Sequence, residues 1–123
     1  MANERYEPPR HERREFFDLV TKDHEGDAVT IEIVGLDYGD QFEAEQLPFT
    51  YIEYDDNDDT AIVGVGGKEG RFPVVLRHII EHPQSILADP PLPNATRAFE
   101  IVANDGTNTI VTLHPRPALP PPD

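Results

Sequence analysis

The sequence predicts an α+β domain: an N-terminal helix packed on a curved, mainly antiparallel sheet of about five to six strands. A small β-barrel carrying the same N-terminal helix is the alternative architecture. Three observations lead to this class. Apolar residues follow a helical period in one opening segment, the period then changes to two for most of the remaining chain, and the last unit carries the Asp-Gly signal of a tight hairpin. At 123 residues the chain has the length of a single domain and is long enough to bury a core without disulfide or metal staples.

The ends read as tails, 1–9 on account of Pro8-Pro9 and 115–123 on account of Pro115, Pro117 and Pro120-Pro121-Pro122, which leaves 10–114 as the folded body. From Arg10 to Lys22 the apolar residues Phe16, Phe17, Leu19 and Val20 make one stripe among charges, and Gly26 supplies the stop. Val29, Ile31 and Ile33 then alternate with Thr30 and Glu32, and Leu36 to Asp40 reads as a turn. Phe42 and Ala44 alternate with Glu43 and Glu45; Phe49 to Tyr54 is rich in β-formers, and Pro48 between the two runs predicts a sheet edge or a break. Asp55-Asp56-Asn57-Asp58-Asp59 is a hairpin loop into a strand from Thr60 to Val65, after which Gly64, Gly66, Gly67 and Gly70 loosen the chain. Phe72, Val75, Leu76, Ile79 and Ile80 fit a helical stripe with Pro73 near its start, and Val74, Leu76 and Ile80 fit a strand. A short helix ended before Pro83 is the expected element here. Ala98 to Ala103 and Thr107 to Leu113 flank Asn104-Asp105-Gly106 and form the closing hairpin.

Charge bounds the partners. The net charge is -14, and eleven of those charges fall in residues 27–70, which hold one basic and twelve acidic side chains. Polyanionic nucleic acid and anionic membrane are thereby disfavoured as direct partners, and the clustering predicts one acidic face. The chain has no cysteine, which removes disulfides, thiolate metal sites and cysteine nucleophiles and fits a reducing, cytoplasmic setting. Met1 to Arg10 has no apolar stretch that would serve as a signal peptide.

These residues resemble a family of small bacterial proteins known only as a domain of unknown function. The similarity runs from about Arg14 to His114 and rests on Glu15-Phe16-Phe17, His24 with Gly26, Val29-Thr30-Ile31-Glu32, Gly39 with Gln41 and Leu47-Pro48. It continues through His78, Pro83 and Asp105-Gly106-Thr107. The resemblance implies a cytoplasmic bacterial protein and carries over no catalytic residue.

Several strings suggest chemistry. His78-Ile79-Ile80-Glu81-His82 has the H-x-x-E-H form of inverted zincins, in which two histidines one helical turn apart share a metal and the glutamate acts as base. The string needs Phe72 to His82 to be helical, and no third ligand is identifiable. Asp55, Asn57 and Asp59 open like an EF-hand loop, but Thr60 stands where the turn needs glycine and Gly66 where the bidentate glutamate belongs. Gly64 to Gly70 lacks the hydroxyl residue of a Walker loop, having Glu69 after Lys68; Lys68 and Arg71 in a flexible loop are the simpler account. Ser85 is the only serine and is not in a nucleophile elbow. Pro117-Ala118-Leu119-Pro120 is a bare PxxP without a correctly placed arginine.

The expected function is that of a non-enzymatic protein-interaction module whose acidic surface, Glu43, Glu45, Asp55, Asp56, Asp58 and Asp59, meets a basic protein partner. No cofactor is expected. One alternative is a nucleic-acid mimic seated in a basic protein groove; another is a metal-dependent hydrolase using His78, Glu81 and His82. An edge strand at Pro48 would also allow pairing between copies as a homodimer.

Overall fold

The computed structural model of the chain describes residues 6–35, 39–66, 74–89 and 97–115. Among these residues a 3₁₀ turn at Arg10–Glu12 leads into α1, Arg13–Asp23, and seven strands follow: β1 (Ala28–Gly35), β2 (Gly39–Asp55), β3 (Thr60–Gly66), β4 (Val74–Glu81), β5 (Pro83–Ala88), β6 (Arg97–Ala103) and β7 (Asn108–His114). They form one antiparallel sheet in the order β4-β3-β2-β1-β7-β6-β5. β4 and β5 stand at opposite ends of that order, yet only His82 separates them in the chain. In a flat sheet of this width the end strands would be roughly 29 Å apart, far beyond the reach of one residue. The sheet is therefore curled into a half-barrel, and His82, with φ of 48°, is its closing corner.

β2 makes the curl by changing neighbours along its length. Up to Pro48, which lies opposite Ala28, it pairs with β1; from Phe49 onward it pairs with β3. Proline has no N–H to give a ladder, so the position where β2 leaves one partner for the next accommodates it. The two runs expected on either side of Pro48 are thus one continuous strand.

The sheet has more strands than the five to six expected, because 74–88 contributes two. Residues 74–81 are a strand and not the expected helix, with Thr60 opposite Glu81 and Val65 opposite Leu76 in the ladder to β3. Burial alternates along it: Leu76 and His78 are half-buried and Ile80 buried, whereas Arg77, Ile79 and Glu81 are exposed. Val74, Val75, Ile79 and Ile80 are all β-branched, and the ladder to β3 satisfies backbone groups that the ends of a short helix would leave open. β5, starting at Pro83, gave no clear strand pattern because its buried residues, Pro83, Ile86 and Ala88, are out of step across a register shift.

The core lies inside the curl, with Val29 and Ile31, Val63 and Val65, Phe99 and Ile101, and Val111 and Leu113 all fully buried. Helix α1 seals one side of it. Phe17 is buried and meets Phe99 edge-on at 6.3 Å between ring centres. Past the point where β1 has left β2, the Thr21 hydroxyl takes the place of a neighbouring strand: it donates to the Ile52 carbonyl at 2.8 Å and accepts the Ile52 N–H at 2.9 Å. A bare strand edge inside a packed interface would leave both groups unsatisfied. The β5 edge is covered too, since Tyr6 and Ala88 exchange two backbone hydrogen bonds of 2.7 Å. Ordered pairing thus reaches upstream of Arg10. Among the described residues no helix is long and apolar enough to cross a membrane.

Candidate functional site

The acidic residues singled out in the sequence fall into two groups. Glu43 and Glu45 are exposed on the first half of β2, flanking buried Ala44, whereas Asp55, Asp56, Asp58 and Asp59 belong to the hairpin at its far end. At about 3.3 Å per residue the two groups are separated by on the order of 30 Å along the strand.

Within the hairpin the carboxylates do different work. Asp55 Oδ1 accepts the Asn57 N–H at 2.9 Å and the Asp58 N–H at 3.3 Å, shaping the loop. Asp56 lies 4.0 Å from exposed Arg14, and Asp58 is exposed. Asp59 turns inward. Its carboxylate accepts the Tyr54 hydroxyl, lies 3.4 Å from His82 Nδ1, 3.3 Å from Arg10 and 3.8 Å from Arg13, and its carbonyl accepts the His82 N–H at 2.8 Å. The Tyr54 bond, first, and then His82, Arg10 and Arg13 hold this carboxyl below its usual range against the opposing effect of burial. Arg13, itself buried, stacks over the Tyr54 ring at 5.4 Å. Asp59 is therefore the anchor of an ion and hydrogen-bond cluster that joins α1, the β2–β3 hairpin and the β4–β5 corner.

The zincin-like string does not assemble. In a strand His78 points inward, with Nε2 3.3 Å from the hydroxyl of buried Thr109 on β7, and His82 at the corner faces Asp59. Glu81 lies on the opposite face of β4 from His78, as strand alternation requires. Asp55 and Asp59 likewise diverge, which dissolves the EF-hand-like spacing. Among the described residues no group of three or more His, Asp or Glu is placed to hold a metal ion. Lys68, Arg71 and the Pro117 to Pro120 segment lie outside the described residues, as does most of the expected 36–40 turn; Ser85 sits in β5.

What the sequence did not single out is a cleft of about 320 Å³ between β4 and the β6–β7 hairpin. His78 and Thr109 line it together with Ile79 and Glu81 on one wall and Asn104, Asp105 and Thr107 on the other. Burial lowers the His78 pKa from its usual value, and the Glu43 carboxylate opposes that shift. The described lining holds carboxylates and no Lys or Arg. A second concavity of about 310 Å³ beside the hairpin contains Asp55 and Asp56 but also Arg14, so its charge is partly met from within. In the sequence His78 and Glu81 are marked only as parts of a helical string; read as a strand, the same string puts Ile79 outward between half-buried His78 and buried Ile80.

The outer edge of β4 borders the cleft, and the ladder indicates which of its backbone groups face outward. The His82 N–H bond to the Asp59 carbonyl extends the β3–β4 register. Because antiparallel pairs alternate between bonded and unbonded, Ile80 and His78 exchange hydrogen bonds with β3, and the N–H and C=O groups of Arg77, Ile79 and Glu81 face away from it. Among the described residues no strand covers this edge.

Residues 5–122 match the model described as "Family of unknown function (DUF5335)", and the chain belongs to that family. An uncharacterized protein of Aquifex aeolicus (strain VF5) is 30% identical over 115 residues, a span of 94% of this chain and 95% of that protein. No solved structure matches the chain.

Proposed function

We propose that the chain is a non-enzymatic interaction module that holds a basic protein partner through its exposed carboxylates. The observation that carries this reading is the concentration of eleven of the fourteen net negative charges in residues 27–70, with Glu43, Glu45, Asp56 and Asp58 exposed. Such a field attracts a basic surface and repels nucleic acid and anionic lipid. Asp59 serves the fold rather than the partner, and Asp55 contributes mainly by shaping the loop. The mimic reading would need an ordered row of carboxylates, and the distance along β2 between the two acidic groups counts against it.

The test is capture of proteins from the source cells at about 0.05 M and about 0.5 M salt, comparing the natural chain with a variant carrying Glu43→Gln, Glu45→Gln, Asp56→Asn and Asp58→Asn. A basic protein retained at low salt, released at high salt and absent from the variant is the expected result. Equal capture by both chains would end the reading.

A further inference from the structure

We propose that the chain pairs with a second copy of itself through the outer edges of β4, antiparallel and centred on Ile79, so that Arg77 of each copy faces Glu81 of the other. The proposal goes beyond the partner-binding reading and does not depend on it.

The ends of a sheet expose unpaired N–H and C=O groups that recruit another strand unless they are covered or blunted. In this fold Tyr6 bridges the β5 edge at Ala88, and Thr21 satisfies the Ile52 N–H and C=O on the second half of β2. β4 is the end strand without such a cover among the described residues. Its outward backbone groups belong to Arg77, Ile79 and Glu81. A two-fold axis through Ile79 places 79 opposite 79 and 77 opposite 81, so every outward N–H and C=O of the three meets its complement in a bonded antiparallel pair.

The side chains fit the same axis. Arg77, Ile79 and Glu81 lie on one face of the strand by alternation, and all three are exposed, Ile79 by 55%. Neither Arg77 nor Glu81 has an ion-pair partner among the described residues. Directly opposed residues in such a pair have Cβ atoms about 5 Å apart, within reach of an ion pair. The second copy's Arg77 would arrive at a cleft whose described lining carries Glu81 on one wall, Asp105 on the other, and no Lys or Arg, and the two isoleucines would meet at the centre. A different extended segment would satisfy the backbone equally well; what favours a second copy is that Arg-x-Ile-x-Glu, read antiparallel against itself, opposes both charges and brings the two isoleucines together.

The charge of -14 on each copy opposes association at long range, and at about 0.15 M salt that repulsion is screened beyond about 8 Å. A contact of one strand pair is small for a stable dimer, so micromolar affinity is the expected order.

Sedimentation velocity of the full chain from about 1 μM to about 1 mM, at about 0.15 M salt, reads the outcome. A monomer–dimer equilibrium is expected. Glu81→Arg sets Arg77 against arginine and Arg77→Glu sets Glu81 against glutamate; each is expected to weaken the dimer about tenfold or more. The double variant Arg77→Glu/Glu81→Arg restores the opposite-charge pairs and is expected to recover dimerisation, a rescue that misfolding or loss of net charge would not produce. Ile79→Pro removes the central outward N–H without touching a bond to β3 and is expected to abolish the dimer while circular dichroism stays unchanged. A chain that remains monomeric throughout, or a dimer that both single variants leave intact, overturns the proposal. A monomer that still captures a basic protein at low salt leaves the partner-binding reading standing and removes only this one.

Discussion

Arg13 donates from Nη1 to the Pro83 carbonyl at 3.1 Å, across seventy positions of the chain. That bond fastens the first turn of α1 to the corner where the chain passes from one end of the sheet to the other. The same guanidinium lies over Tyr54 and beside Asp59, so one buried cation joins three elements that are distant in sequence.

Replacing Arg13 leaves the Asp59 carboxylate short of a counter-charge and the Pro83 carbonyl without its donor. Arg13→Ala is expected to lose about 2–4 kcal/mol of stability in urea unfolding. Arg13→Lys, which keeps the charge but cannot reproduce a planar group stacked on a ring, is expected to recover only part of that loss. A loss no larger than that of an exposed neighbour such as Arg14→Ala would show that the cluster is not the tie described.

Asp59 makes this tie sensitive to acid. Its folded pKa is lowered below the ordinary 3.8, chiefly by the Tyr54 hydroxyl and further by His82, Arg10 and Arg13. A depressed carboxyl contributes stability that is complete above its unfolded pKa and is lost as pH falls through the folded value. Urea midpoints measured from about pH 7 to about pH 2.5 are therefore expected to fall along an acid limb that Asp59→Asn and Tyr54→Phe both flatten. Tyr54→Phe acts here because it removes the largest single cause of the shift.

His78 titrates in a different window. Burial holds its pKa below the ordinary 6.5, and Glu43 acts against that. A histidine held neutral in this way contributes stability above its unfolded pKa that is lost as pH falls below it. In an NMR titration Glu43→Gln is expected to lower the His78 pKa further, since it removes the carboxylate that favours the imidazolium. An unchanged His78 titration would show that the two side chains do not sense each other.

Tyr51 lies across Gly64, its partner in the β2–β3 ladder, so closely that a methyl group at 64 would collide with the ring. Gly64→Ala is expected to cost about 1–3 kcal/mol through the displaced ring. In Tyr51→Ala the same substitution is expected to cost much less, and the difference measures the coupling between the two positions. Equal costs in both backgrounds would place the strain elsewhere.

Local pattern alone determined much of the fold. The stripe of Phe16, Phe17 and Val20 determined α1, whose buried residues include Phe17 and Val20. Alternation in Val29 to Ile33 and in Ala98 to Leu113 determined β1, β6 and β7. The Asp105-Gly106 pair determined the last turn, where Gly106 has φ of 91°. These features are legible because each depends on residues within a few positions of one another. Net charge and family membership were legible for the same reason, being properties of composition and order.

Only the tertiary structure decided the rest. Residues 74–81 satisfy a helical and an extended period alike, and what selects the strand is a ladder to β3, formed by residues whose partnership no local pattern states. The same ladder parts His78 from His82 and leaves Arg77, Ile79 and Glu81 facing outward. Asp59 is one more acid in an acidic loop until the curl of the sheet brings Arg13, Tyr54 and His82 around it. The physical reason is common to all three. Periodicity and turn chemistry act through neighbours along the chain, whereas the fate of an edge strand, a carboxylate or a histidine is set by the groups that closure of the half-barrel delivers to it from far away.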